Sequence, residues 1–133
     1  MEVTIALDAM GGDNAPIPEV IGAVEAKRKY GVNTLLIGDE KRLKKELLRL
    51  KADNLLPIIH ADEVVTMEDS AMSAIRKKKR SSLRLAAEAV KSGQADALVS
   101  AGNTGAVMAT AKLFIGGIPE VERPALAIWV SKG

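Results

Sequence analysis

The sequence has no cysteine and very few aromatic side chains. Without cysteine, a chain of 133 residues has no disulfide, no zinc–thiolate site and no cysteine nucleophile. Aromatic residues make up 2% of the chain and hydrophobic residues 47%, so the core must be aliphatic. An aliphatic core suits buried parallel strands covered by helices. The lack of cysteine also fits the reducing cytoplasm.

Long apolar runs are missing as well. None approaches the roughly 18–20 residues that cross a bilayer. The acidic start Met1-Glu2 and the strand-length apolar stretch at 3–7 do not resemble a signal peptide. We therefore expect a soluble, cytoplasmic chain whose residues 1–133 form a single α/β domain.

Positive charge is concentrated in one place. The formal net charge is +2, yet six cations lie within nine residues, at 76–80 and at Arg84. Without them, 13 basic residues face 17 acidic ones, which leaves the rest of the chain at −4. Residues 76–80, the basic segment, are either a solvated loop or a surface for a phosphate, an acidic protein or a membrane. Nucleic acid is the weaker choice, because one Trp, one Tyr and one Phe provide no stacking platform.

Apolar segments of strand type alternate with segments of helical periodicity. Strands are predicted at 3–7, 34–37, 56–60, 97–99 and 126–130. Helices are predicted from the Pro16/Pro18 turn to Gly31, after the cap Asp39, from the cap Ser82 to Gly93, and at 106–114. A long, mostly irregular connection with one or two helical turns inside it covers 61–81. This alternation predicts a three-layer α/β/α fold with a mainly parallel sheet. The apolar strand at 126–130 would be an exposed edge, so we expect either a partner over it or a longer protein of which this is the N-terminal part.

Three polar, glycine-bearing segments follow predicted strands, at 8–14, 38–39 and 100–105. Ligands of open parallel sheets bind outside the carboxyl ends of the strands, so we expect these segments to converge at one edge. The sequence lacks both G-x-G-x-x-G and the Walker P-loop, which excludes a standard Rossmann dehydrogenase and a P-loop nucleotide hydrolase.

Residues 100–105, Ser-Ala-Gly-Asn-Thr-Gly, form what we call the glycine loop. Gly102 and Gly105 permit a tight turn and a close approach to a ligand. A helix that begins near Thr104 would direct its unpaired N–H groups at the turn, and Ser100 and Asn103 add polar side chains. The loop therefore predicts a site for a phosphate or a developing oxyanion. The alternative is that Asn103 and Thr104 merely cap the helix.

Residues 8–14, Asp-Ala-Met-Gly-Gly-Asp-Asn, form the second candidate, which we call the aspartate loop. Gly11 and Gly12 allow close backbone approach, while Asp8 and Asp13 are suited to accept hydrogen bonds or to orient a cation. The alternative is a tight turn with local caps. No third ligand for magnesium is evident, so no metal is predicted. The only histidine, His60, is expected to be structural, and no Ser-His-Asp arrangement is indicated.

Four segments resemble the phosphate acyltransferase family known as PlsX. Residues 5–16 resemble its opening signature, 74–79 with Ser81-Ser82 its basic segment, 100–106 its glycine loop, and 123–127 the element after that loop. The resemblance extends to Ile128. Arg80 departs from it, because the family usually has an acidic residue there, and the match fades after residue 127.

The resemblance implies an enzyme that transfers a fatty acyl group from acyl carrier protein to inorganic phosphate and forms acyl phosphate for phospholipid synthesis. It also implies a fold like that of phosphotransacetylases and isocitrate/isopropylmalate dehydrogenases. The family's homodimers lie in the cytoplasm and at the inner face of the membrane, without metal or organic cofactor.

We hypothesise that the phosphate and substrate contacts come from Asp8, Gly11, Gly12, Asp13, Asn14, Ser81, Ser82, Ser100, Gly102, Asn103 and Thr104. The candidates for catalysis are Lys78, Lys79 and Asn103. Two other readings stay open. One is a phosphate-binding module without catalysis, and the other is an inactive fragment that dimerises through residues 126–130.

Overall fold

A computed structural model describes residues 2–116, in which four strands and five helices alternate. Their bounds are β1 Thr4–Asp8, α1 Ile17–Tyr30, β2 Asn33–Gly38, α2 Glu40–Arg49, β3 Ile58–His60, α3 Ala71–Lys77, α4 Ser82–Lys91, β4 Ala97–Ser100 and α5 Thr104–Phe114. Every strand pair is parallel. The predicted α/β class is confirmed, whereas the strand expected at 126–130 lies outside the described residues.

The helices cover both faces of the sheet, because successive strand residues point to opposite sides. Leu36 of β2 belongs to a core shared with α1 and α2, which includes Val20 and Leu43. The next residue, Ile37, belongs to a second core, which includes Ala86 and Ala89 of α4. The described part of the chain is therefore a three-layer α/β/α arrangement, as the alternation of elements predicts.

The helix ends follow ordinary capping chemistry. Asp39 caps α2 by accepting a hydrogen bond from the N–H of Arg42 at 3.1 Å. Gly31 ends α1 in the left-handed conformation, with φ of 68°. The prediction of Ser82 as the cap of α4 is wrong by one residue, because the extended backbone of Ser81 lets its hydroxyl accept from the N–H of Arg84. The helix start thereby releases Ser82 for another contact.

The start of the third strand also differs from expectation. The third strand begins at Ile58, not at residue 56, because Pro57 has no N–H for the ladder. The carbonyl of Pro57 still accepts from the N–H of Leu36 at 2.9 Å. The connection at 61–81 contains the short helix α3. A parallel bridge between Glu63 and Ser81 joins the two ends of this connection. No helix within residues 2–116 is long and apolar enough to span a bilayer.

The strand order is β3-β2-β1-β4, and this order creates a topological switch point. The chain moves outward from β1 through β2 to β3 and then returns to the other side of β1 for β4. Neighbouring connections therefore leave β1 and β4 on opposite faces, which opens a crevice beyond their carboxyl ends. The aspartate loop and the glycine loop follow these two strands.

Candidate functional site

The site is organised by the register of its two central strands. Asp8 ends β1, Ser100 ends β4, and the two residues are partners in the parallel ladder. The Ser100 hydroxyl donates to Oδ2 of Asp8 at 2.8 Å. Because the two strand ends are level, the two loops leave the sheet side by side. Of the three segments expected to converge, these two loops do so.

Asp8 is the hub of this arrangement, since its side chain is 3% exposed and accepts three hydrogen bonds. Its Oδ1 accepts from the hydroxyl of Ser82 at 2.6 Å and from the N–H of Met10 at 3.1 Å. The carboxylate thus joins the aspartate loop, the start of α4 and the end of β4. Asp8 therefore links three segments of the fold, and both of its carboxylate oxygens already accept hydrogen bonds from the protein.

Two glycines let the two loops touch. A Cβ added to Gly11 would lie 3.0 Å from both the nitrogen and the Cα of Gly102, and 2.7 Å from Oδ2 of Asp8. A Cβ on Gly102 would come within 3.3 Å of the Cα and carbonyl oxygen of Gly11. The backbones pack directly on each other, so neither position has room for a side chain without movement.

The N-terminus of α5 faces the crevice. Asn103 caps it, because its Oδ1 accepts from the N–H of Ala106 at 3.2 Å. The N–H of Gly102 donates to the Ser100 hydroxyl at 3.1 Å. Within residues 2–116, the N–H groups of Thr104 and Gly105 have no hydrogen-bond acceptor, as is usual in a first helical turn. These two N–H groups can bind an anion.

Asn103 has a second task besides capping. Its Nδ2 donates to the carbonyl oxygens of Thr66 at 3.0 Å and Asp69 at 2.7 Å. Both the amide nitrogen and the amide oxygen are therefore used by the protein itself. The geometry gives Asn103 the role of a clamp between the glycine loop and the turn at 66–69, and leaves its catalytic role a hypothesis.

Lys78 reaches the same turn from the other side. Its Nζ donates to Oδ2 of Asp69 at 2.6 Å and to the carbonyl oxygen of Val64 at 2.7 Å. Oδ2 of Asp69 also accepts from the N–H of Thr66 at 2.8 Å. The hydrogen bond from Lys78, followed by that from the Thr66 N–H, holds the pKa of the Asp69 carboxyl below its ordinary value. The turn at 66–69 therefore links Lys78 to Asn103.

Replacing Asn103 tests the two tasks separately. Asn103→Ala removes the cap and the ties to the turn, and we expect a loss of about 2 kcal/mol in the free energy of unfolding. Asn103→Ser keeps a cap oxygen but is too short to bridge to the turn, so we expect it to recover about half of that loss. Urea denaturation of both variants measures this difference. Equal losses in the two variants would mean that the cap contributes nothing.

The other predicted residues are placed as follows. Asp13 and Asn14 are exposed and line the crevice together with Gly12 and Thr104. Ser81 is a buried helix cap, so its hydroxyl is used within α4. Lys79 is exposed.

The remaining strand-end residues serve the fold. Asp39 caps α2, and Gly38 packs against Met10. His60 lies at the end of β3, where its Nδ1 accepts from the N–H of Glu40 at 3.1 Å and its Nε2 pairs with Asp62 at 2.8 Å. The structural reading of His60 matches these contacts, and the segment at 38–39 contributes no polar side chain to the crevice lining.

Some cations of the basic segment form ion pairs within the described residues, and others do not. Lys78 pairs with Asp69, and Arg80 pairs with Asp62 at 2.6 Å. The nearby Arg84 pairs with Glu88 at 3.1 Å and lies 4.8 Å from the ring centre of Phe114, where it ties α4 to α5. Arg76, Lys77 and Lys79 are exposed and form no ion pair with any residue that the structure describes.

One ionisable residue of the crevice was missed by sequence reasoning. Glu19 in the first turn of α1 turns its carboxylate toward Gly12, so that a Cβ on that glycine would collide with Oε2. Its other oxygen, Oε1, is buried and has no hydrogen-bond partner among residues 2–116. An acidic residue in a first helical turn is ordinary, so the sequence offered no signal for it. By contrast, the turn at 66–69 reads Thr-x-x-Asp, a capping pattern that was open to recognition.

The crevice has a volume of about 930 Å³. Its polar end is formed by the two loops, and its apolar side by β1, β4 and α1, with Leu7, Ala23 and Val99 among the lining residues. Among residues 2–116, no three His, Asp or Glu side chains come together in a way that would hold a metal ion.

The sheet order, the helices on both faces and the crevice at the switch point define an open, doubly wound α/β protein. Residues 3–132 match the family model described as "Fatty acid synthesis protein". The chain therefore belongs to this family.

Curated relatives agree with the family match. A phosphate acyltransferase from Trichlorobacter lovleyi is 56% identical over 124 residues, which are 92% of this chain and 36% of that protein. A phosphate acyltransferase from Desulforamulus reducens is 51% identical over 125 residues, 94% of this chain and 38% of the relative. One from Koribacter versatilis is 49% identical over 129 residues, 96% of this chain and 36% of the relative. The chain spans a little over a third of the length of these relatives.

Proposed function

We propose that this chain forms the phosphate-binding wall of an enzyme that transfers a fatty acyl group from acyl carrier protein to inorganic phosphate. The observation that carries the proposal is the contact between Gly11 and Gly102, held by Asp8 and Ser100 beside the N-terminus of α5. The resulting crevice offers backbone N–H groups to a tetrahedral anion. Relatives named phosphate acyltransferase supply the reaction class.

The chemistry needs no protein nucleophile. An oxygen of hydrogenphosphate attacks the thioester carbonyl, the C–S bond breaks, and the phosphate proton ends on the sulfur of the released thiol. The products are an acyl phosphate and the free carrier thiol, so atoms and charge balance. The protein must hold phosphate and place donors where negative charge grows on the carbonyl oxygen, and each such donor contributes about 3–4 kcal/mol. The N–H groups of Thr104 and Gly105 are suited to one of these tasks.

A chimera tests the reaction. In it, the matched segment of this chain replaces the corresponding segment of the Trichlorobacter lovleyi phosphate acyltransferase, with which it shares 56% identity. We expect phosphate-dependent release of carrier thiol from an acyl carrier thioester. A folded chimera that binds phosphate without releasing thiol would favour the non-catalytic phosphate-binding module.

The exposed cations Arg76, Lys77 and Lys79 of the basic segment complement the negative charge of an acidic carrier protein. We expect that the double variant Lys77→Glu with Lys79→Glu weakens binding of acyl carrier protein to this chain on the order of 10-fold at low ionic strength and removes most of its salt dependence. Calorimetric titration at several salt concentrations measures both effects. Lys78 is kept, because its contact with Asp69 is part of the fold.

The control is Lys41→Glu with Lys45→Glu, two exposed lysines of α2. It changes the net charge by the same amount at a different place. If both double variants weakened binding equally, net charge would explain the result and docking at the basic segment would be refuted.

A further inference from the structure

Glu19 is unusual for a glutamate in the first turn of a helix. Such residues normally face solvent and gain from the positive end of the helix dipole. Glu19 is half-buried, and its Oε1 is buried without a hydrogen-bond partner in the part of the chain that the structure describes. A buried acceptor without a donor costs free energy, so its position calls for a physical reason.

The surroundings of Glu19 favour a proton close to its carboxylate. Burial raises the pKa of Glu19, and the charge of Asp8 adds a smaller rise. The backbone N–H groups of Glu19 itself and of Gly12 act in the opposite direction without cancelling the effect of burial. Oε1 of Glu19 is thus the carboxylate oxygen for which residues 2–116 supply no hydrogen-bond donor.

Glu19 also lies where a phosphate would be held. It lines the same crevice as Gly12, Ser100, Gly102 and Thr104. Asp13 is the other ionisable residue among the described residues that line this crevice, and it is exposed. A ligand at the glycine loop would therefore share this crevice with the Glu19 carboxylate.

We infer that Glu19 accepts a hydrogen bond from the protonated oxygen of hydrogenphosphate and thereby selects phosphate over sulfate. The two ions have the same shape, and at neutral pH sulfate carries no proton. A carboxylate acceptor is satisfied by a P–OH group, whereas it repels an oxygen of sulfate that has nothing to donate. This inference rests on the proposed function of the crevice and names Glu19 as its specificity-determining residue.

Calorimetric titration of the whole chain with inorganic phosphate and with sulfate, at pH 7 and equal ionic strength, tests the inference. We expect the unmodified chain to prefer phosphate on the order of 10-fold, the effect of one well-placed polar contact. Glu19→Gln should lose this preference, because an amide can donate to either ion. Glu19→Ala serves as a second variant that removes the acceptor altogether, and it should lose the preference too.

Glu46→Gln is the matched control. Glu46 of α2 is also buried, and its Oε2 also lacks a partner among the described residues, but it does not line the crevice. We expect it to keep the preference for phosphate. A general structural effect at Glu19 would lower both affinities together and leave their ratio unchanged.

The outcomes separate the inference from the proposed function. Equal affinities for phosphate and sulfate in the unmodified chain, or an unchanged ratio in the Glu19 variants, would overturn the role of Glu19 and leave the phosphate site standing. Binding of neither ion by the unmodified chain would instead refute the phosphate site, and the inference with it.

Discussion

Replacing Asp8 with alanine is expected to destabilise the chain by about 3 kcal/mol and to lower phosphate affinity on the order of 10-fold or more. The physical reason is that three donors lose one common acceptor: the hydroxyls of Ser82 and Ser100 and the N–H of Met10. Ser82 is fully buried, so its hydroxyl has no water to replace the carboxylate. Urea denaturation measures the stability, and calorimetric titration measures the binding.

Asp53→Ala is the control for this prediction. Asp53 is an exposed residue in the turn after α2, and we expect its replacement to change the free energy of unfolding by less than about 0.5 kcal/mol. If Asp8→Ala lowered the free energy of unfolding as little as Asp53→Ala, the hydrogen bonds by which Asp8 joins β1, β4 and α4 would not contribute to stability. The claim that Asp8 holds the two loops together at the crevice would then be refuted.

The second large effect is expected for Gly11→Ala. The new methyl group would meet the backbone of Gly102 and Oδ2 of Asp8, neither of which can move without separating the two loops. We expect a loss of about 2 kcal/mol in stability, within the range known for overpacked sites, together with loss of phosphate binding. Thermal and urea denaturation, followed by phosphate titration, test both parts.

Gly22→Ala supplies a control of opposite sign. Gly22 lies within α1, and a Cβ there would have no atom within 4 Å. Alanine should stabilise the helix by about 0.5–1 kcal/mol. If Gly11→Ala were equally harmless, the close contact of the two loops would not be required for the fold.

Local patterns predicted the helices and strands well, because the sequence signals that start and end each element lie within a few residues of it. The apolar run before Asp8, the cap Asp39 and the αL position Gly31 each act through their near neighbours. The start of α4 was misplaced by one residue, because Ser81 and Ser82 have equal capping propensity. The extended backbone at Ser81, set by the bridge to Glu63, decides between them.

The candidate site was predictable only in part. That the loops after β1 and β4 share an edge followed from the rule for parallel sheets. The level register of Asp8 with Ser100 depends on a strand order that local sequence does not encode. Asn103 contacts the turn at 66–69, and Glu19 turns its carboxylate inward. Both features depend on tertiary packing, which a single sequence does not determine.

The central claim is that the contact between the aspartate loop and the glycine loop creates a phosphate site. An NMR titration of the ¹⁵N-labelled chain with inorganic phosphate tests it most directly. We predict saturable shifts of the backbone amides of Gly12, Gly102, Thr104 and Gly105, which Asp8→Ala abolishes. Shifts confined to the basic segment, or no saturable shift in the two loops, would contradict the account.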